Sequence, residues 1–241
     1  MAILRKGGLL GVCVHHSAVA PAATNLSQLK TRARQYDEHH KAKTINWNNT
    51  TPGEFGYKYI RYHYMIAYDG TLMQVQDEKY ALYHAGDNFR GELSFNLHGI
   101  AVLIDGNYET EKPNENQMRT LVKLIRDIEK RYDINARVRG HKETSKLYTQ
   151  CPGKNIGKHD SGWLKQAIAN VNNSNYSTDP VKPPECPELV ECQKQVRALE
   201  GQIADLSEAL RAAESSLNVS LEREIYLEEK IEVREKEFDE L

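Results

Sequence analysis

His141 and Cys151 stand ten residues apart in Gly140-His141-Lys142-Glu143-Thr144-Ser145-Lys146-Leu147-Tyr148-Thr149-Gln150-Cys151-Pro152-Gly153, and a histidine pair lies far upstream in Val14-His15-His16-Ser17. Imidazole nitrogen and thiolate sulfur are donors that zinc favours, and one upstream histidine completes a set of three. Structural zinc sites usually close all four tetrahedral positions with protein groups, whereas three protein ligands leave the fourth to water. Zinc held in this way lowers the pKa of its water from about 15.7 to about 7 and polarises a carbonyl, which is the equipment for hydrolysis at neutral pH. Taken singly these residues have plainer readings, since a lone Cys usually packs as a small hydrophobe.

Five segments carry the context in chain order. They are Val14-His15-His16-Ser17-Ala18; Tyr62-His63-Tyr64-Met65-Ile66 with Asp69-Gly70-Thr71; His84-Ala85-Gly86; Asn96-Leu97-His98-Gly99-Ile100-Ala101-Val102; and Gly140-His141 through Cys151-Pro152-Gly153. Together they resemble the type 2 N-acetylmuramoyl-L-alanine amidase family, which includes phage lysozymes of amidase type and peptidoglycan recognition proteins. The resemblance covers most of residues 8–165 and implies a Zn²⁺ cofactor on His15, His141 and Cys151, with His16 a neighbour of the ligands. The implied reaction is hydrolysis of the amide that joins the lactyl group of N-acetylmuramic acid to L-alanine of the stem peptide. Members of the same fold can instead bind peptidoglycan without cutting it, and a coiled-coil structural protein with a zinc site is a further alternative; the cysteine ligand favours the enzyme.

The resemblance also places Tyr62 at the family's catalytic tyrosine, as a donor to water or to the oxyanion. Thr149 stands where members carry a lysine or threonine facing that oxyanion. Lys146 lies in a stretch about two residues longer than the family's commonest form and reads as a solvated lysine. His84 and Asn96 match positions lining the substrate groove. His63 and His98 read as structural or supporting residues, and Glu143 or a main-chain oxygen is the expected partner of the second His141 nitrogen.

The elements that must position these groups are legible from periodicity. Leu9–Val14 is mostly apolar and reads as a buried strand with His15 at its carboxyl end. Further strands are expected near residues 59–67, 71–76, 99–105 and 136–140, with an Asp69-Gly70 hairpin between the second and third. Apolar residues recur at helical spacing in Leu26–Lys41, Asn116–Tyr132 and Ser161–Val171. The fold class is therefore α/β, a mixed central β-sheet flanked by helices, with a C-terminal α-helical coiled coil. Cys13, inside the first strand, reads as a packed free thiol.

Composition changes near residue 175. Residues 1–172 are the expected catalytic domain, residues 173–186 a polar, proline-bearing linker, and residues 187–241 a coiled-coil oligomerisation segment. Val196, Ile203, Leu210, Leu217, Ile231 and Phe238 occupy one seam of a heptad, and Leu199, Leu206, Ala213, Leu227 and Leu241 the other. Glu224, Ser220 and Arg234 interrupt it, which suggests a stutter near residue 220. This segment carries 15 Asp+Glu and 7 Lys+Arg, a net of −8, so the whole-chain net of −2 leaves +6 for residues 1–186. A basic catalytic part suits anionic wall polymers and equally an ordinary solvated surface. No nucleic-acid motif is present.

Cys186 and Cys192 flank the coiled-coil entry, where parallel copies could bridge in an oxidising compartment; structural or incidental cysteine is the default. No stretch reads as a membrane span, and Arg5-Lys6 followed by the short Gly7–Val14 run is too brief for a signal peptide. The expectation is a protein made in the cytoplasm that acts at the bacterial cell wall, as a phage endolysin or virion-associated lysin, with peptidoglycan and further copies of itself as partners.

Overall fold

The computed structural model describes residues 3–5, 7–43, 50–87 and 94–180, together with 202, 206–208 and 211. The elements, in order, are β1 (Ile3–Leu4), β2 (Gly11–His16), α1 (Leu26–Lys43), β3 (Tyr64–Ile66), β4 (Leu72–Gln74), β5 (Tyr80–Ala81), α2 (Phe95–His98), β6 (Gly99–Ile104), α3 (Glu115–Tyr132), β7 (Arg137–Gly140), α4 (His141–Thr144) and α5 (Gly162–Val171). A five-stranded sheet has the order β4-β3-β6-β2-β7. Strand β2 runs parallel to β6 and β7, β3 runs parallel to β6, and β4 is antiparallel to β3. The mixed sheet flanked by helices is the class expected from the sequence.

Strands β2 and β6 are buried along their whole length, as parallel strands are when helices cover both faces of a sheet. On one face Val12, Val14, Ile100, Val102 and Ile104 meet Leu121, Val122, Ile125 and Ile128 of α3 and Leu164 and Ala167 of α5. On the other, Met65 and Leu103 pack with Leu29 and Ala33 of α1. Each such aliphatic side chain contributes roughly 1.5–3 kcal/mol when fully buried, so both helical layers are held by the same force. Helix α3 starts at a capping box in which Asn114 accepts the Gln117 N–H and the Gln117 side chain accepts the Asn114 N–H. That box satisfies two of the donors a helix start leaves open.

The expected strand over 59–67 shortens to Tyr64–Ile66. Asp37 of α1 takes the backbone N–H groups of Tyr59 and Ile60 at 2.7 and 2.8 Å, which removes them from ladder pairing, and Tyr62 lies just ahead of β3. The Asp69-Gly70 turn is present: Gly70 has φ +89°, a left-handed conformation open to glycine, and the Asp69 carboxylate accepts the Thr71 N–H.

Periodicity did not signal the separate two-stranded sheet of β1 and β5, since two-residue strands carry no pattern. Arg5 secures it by donating to the carbonyls of Glu78, Leu97, Tyr80 and Gly99.

The chain divides into two units, residues 1–181 and 182–241. Residues 173–179, where the linker was expected to begin, are tied to α3. Arg126 donates to the carbonyls of Asn170, Val171, Asn173 and Tyr176, and Arg119 to that of Asp179. The rest of the linker, Cys186, Cys192 and nearly all of the heptad segment lie outside the described residues. No helix among the described residues is long and apolar enough to cross a membrane.

Candidate active site

Parallel pairing brings the site together. In the register of β2 and β7, Val14 sits opposite Gly140, the last residue of β7, so the next residues, His15 near the end of β2 and His141 at the start of α4, become neighbours. Ligands gather at the carboxyl ends of parallel strands for this geometric reason. The His15 and His141 ring centroids are 4.5 Å apart. Cys151 returns to this edge because the Lys142 N–H donates to its carbonyl at 2.7 Å and the His16 N–H donates to its Sγ at 3.4 Å.

One donor atom each from His15, His141 and Cys151 lies within 4.8 Å of the others. His15 Nδ1 and Cys151 Sγ are 3.7 Å apart. Tetrahedral zinc with ordinary bond lengths places N and S ligands about 3.6 Å apart, so the donor set and its spacing fit that ion. The His16 ring is engaged elsewhere, its Nδ1 accepting the Tyr108 N–H.

Hydrogen bonds behind His15 set its tautomer. The Phe95 carbonyl can only accept, so His84 Nε2 carries a proton and donates to it at 3.0 Å. His84 Nδ1 is then the acceptor for the His15 Nε2–H, also at 3.0 Å, which leaves the His15 Nδ1 lone pair facing Cys151. A ligating imidazole is held in place by the bond its other nitrogen makes. Burial first, then the neighbouring imidazoles of His141 and His84, pushes the His15 pKa well down. Burial lowers His141 to about 4 and raises the Cys151 thiol to about 12. The pocket therefore offers two neutral imidazoles and a thiol that releases its proton when a cation binds.

These ligand-type residues line a cavity of about 460 Å³ together with Tyr62, His84, Arg61, Glu109, Thr149 and Gln150. Tyr62 lies against His15 with ring centroids 5.2 Å apart, and burial, followed by the nearby Cys151, raises its phenol pKa, so it is a proton donor at neutral pH. Thr149 Oγ1 accepts the Cys151 N–H at 3.2 Å, which leaves the hydroxyl hydrogen for a ligand. Lys146 is solvent-exposed.

Asn96, expected in the groove, is fully buried behind it. Its Oδ1 accepts the N–H groups of His84 and Ala85 at 2.7 and 2.6 Å, so it shapes the loop that presents His84. Gly86 in that loop has φ +65°, and a Cβ there would lie 2.4 Å from Ser145 Oγ; glycine lets the loop close on α4. Glu143 does not reach the His141 ring. It accepts the Gly140 N–H and the His159 N–H and pairs with the His159 ring, fixing the start of α4.

His63 is structural, bridging Ala101 N–H and the Tyr80 carbonyl, and His98 Nδ1 lies 3.0 Å from the Gly8 carbonyl. Cys13 is a buried free thiol 3.6 Å from Thr144 Oγ1. It forms a second close group with His15 and His84. Sequence reasoning missed the His15–His84–Phe95 chain and Arg61, for which no spacing signal exists.

The Amidase_2 family model, N-acetylmuramoyl-L-alanine amidase, matches residues 7–154. Bumblebee PGRP-SA is similar in structure at TM-score 0.52 and 17% identity, over 76% of this chain and 90% of that one. Drosophila peptidoglycan recognition protein SD is similar at TM-score 0.50 and 18% identity, over 64% and 80%. N-acetylmuramoyl-L-alanine amidase LysC from Clostridium intestinale URNW gives TM-score 0.47 and 22% identity, over 70% and 92%. No curated protein matches the chain in sequence. With a family model spanning the two histidines, the cysteine and the sheet between them, the chain belongs to the N-acetylmuramoyl-L-alanine amidase family.

Proposed function

We propose that this protein is a zinc-dependent peptidoglycan hydrolase that cleaves the amide between N-acetylmuramic acid and L-alanine of the stem peptide. The observation that carries the reading is the donor set of His15, His141 and Cys151, gathered within 4.8 Å of one another on the wall of a cavity that Tyr62 also lines.

When bound, zinc supplies a Lewis acid for the amide carbonyl and brings the pKa of a water near neutrality. The chain's own groups do the rest. His15, its tautomer fixed through His84, and His141 direct neutral nitrogen lone pairs at one point. Cys151 gives up its proton there, and its sulfur accepts the His16 N–H. Tyr62 donates a hydrogen bond to the oxygen of the attacked carbonyl as negative charge develops on it, a preorganised contact of the kind worth roughly 2.7–4 kcal/mol. Thr149, braced by the Cys151 N–H, holds a second hydroxyl proton beside that oxygen. The oxygen of water bonds to the carbonyl carbon and the C–N bond breaks; the lactyl group is left as a carboxylate, a proton from the water goes to the departing nitrogen, and the stem peptide leaves with a free L-alanine amino group.

The biological setting inferred from the sequence is a phage endolysin or virion-associated lysin that acts at the bacterial cell wall. The heptad of residues 187–241 supports self-association as the role of the second unit. The test is metal removal: chelated protein should lose peptidoglycan hydrolysis, and one equivalent of zinc should restore it to the native chain and not to a folded Cys151→Ser variant. Undiminished hydrolysis by the chelated protein or by the variant would contradict the reading.

A further inference from the structure

Among the described residues, the partly buried guanidinium groups have partners, with one exception. Arg5 and Arg126 each donate to four carbonyls. Arg119 meets Glu115 at 3.0 Å, and Arg32 lies 3.6 Å from Asp105. Arg61 differs: its Nε and Nη2 are closed off from solvent and have no hydrogen-bond partner. No carboxylate among the described residues lies within ion-pair distance of it. Its guanidinium carbon sits 5.9 Å from the centre of the Tyr83 ring, and both residues line the same cavity as the metal-ligand set.

A buried donor left unpaired destabilises the free protein, and a cation held that way beside a ligand cavity is explained by an anion that arrives with the ligand. Nε and Nη2 form one edge of the guanidinium fork, which matches the two oxygens of a carboxylate in a bidentate pair. Arg61 is the one lysine or arginine among the described lining residues, and Glu109 is their one carboxylate.

We propose that Arg61 is the anion-binding residue of this cavity and receives a carboxylate of the peptide portion of the substrate. The inference rests on the amidase reading for the identity of that peptide. A stem peptide with a free carboxylate on its second residue places the anion a few bonds from the amide to be cut, and Arg61 precedes Tyr62, which lies against His15. Amidation of that carboxylate removes the charge while leaving size and shape nearly unchanged, so Arg61 makes the protein discriminate between the two forms of the peptide.

The experiment uses the full chain loaded with zinc and two ligands, N-acetylmuramyl-L-alanyl-D-isoglutamate and its isoglutamine counterpart. Binding is read by calorimetry, and hydrolysis in parallel by product mass. The native protein should bind the carboxylate form about tenfold more tightly or better. Arg61→Gln should bring the two affinities together, and Arg61→Lys, which keeps the charge without the fork, should fall between. Zinc content and thermal midpoint report that each variant is folded. No preference in the native protein, or the native preference retained in folded Arg61→Gln, overturns the proposal. Failure of the amidase reading looks different: no product forms from either ligand, while the ratio of binding constants still decides the role of Arg61.

Discussion

Two imidazoles and a thiol packed side by side gain most from a shared cation, because each alone is held in its neutral form by burial. The substitutions that separate the residues' roles follow from their contacts. Tyr62→Phe removes one hydrogen-bond donor and no ligand, so kcat should fall about 10²–10³-fold while zinc content stays at the native level; equal loss of zinc would show a structural role instead. His84→Ala removes the acceptor that fixes His15. Zinc affinity, measured by competition with a chromogenic chelator, should weaken about 10–100-fold, and His84→Gln, which can still accept from His15, should recover part of it. An unchanged affinity in His84→Ala would mean that packing alone orients His15.

At the scale of elements, the parallel register of β2 and β7 converts a separation of more than a hundred residues into ring contact, and the short loops around the sheet then lock it. His63, at the entry to β3, is one such lock. Its Nδ1 accepts the Ala101 N–H of β6, so the proton on Nε2 goes to the Tyr80 carbonyl of β5. Burial first, then Arg5, lowers its pKa to about 3, below the ordinary value of about 6.5. A depressed imidazole pKa means the unfolded chain binds the extra proton more readily. The stability carried by neutral His63 is therefore complete above about pH 6.5 and is lost as pH falls toward 3. His15, His16, His84 and His141 act with the same sign. Urea midpoints should fall between pH 7 and 4, and less steeply in His63→Gln than in the native chain; identical slopes would remove His63 from the account. Much of this architecture was legible in advance. The apolar run ending at His15, the helical spacing in α1, α3 and α5, and the Asp69-Gly70 turn each have a local physical signature. The pairing of β1 with β5, the burial of Asn96 behind the cavity, the turning of Glu143 toward His159 and the unpaired Arg61 have none. They depend on which distant backbone groups need partners, and that is decided only when the chain closes.

For the whole molecule, residues 1–186 carry a net charge of +6 and the heptad segment a net charge of −8. If residues 187–241 join copies of the chain through their apolar seam, the full protein should sediment as an oligomer and a chain ending at residue 181 as a single copy with its thermal midpoint preserved; a monomeric full chain would remove that role. Displaying several catalytic units on one assembly would raise avidity for a polymeric wall without any new contact. The central claim, hydrolysis at the first amide of the stem, is tested most directly by mass spectrometry of purified peptidoglycan digested with the zinc-loaded protein. The account predicts intact stem peptides with a free L-alanine amino terminus and glycan strands without peptide, both absent from a Cys151→Ser digest. Binding to the wall with no such peptide released, or fragments cut in the glycan or between other stem residues, would contradict it.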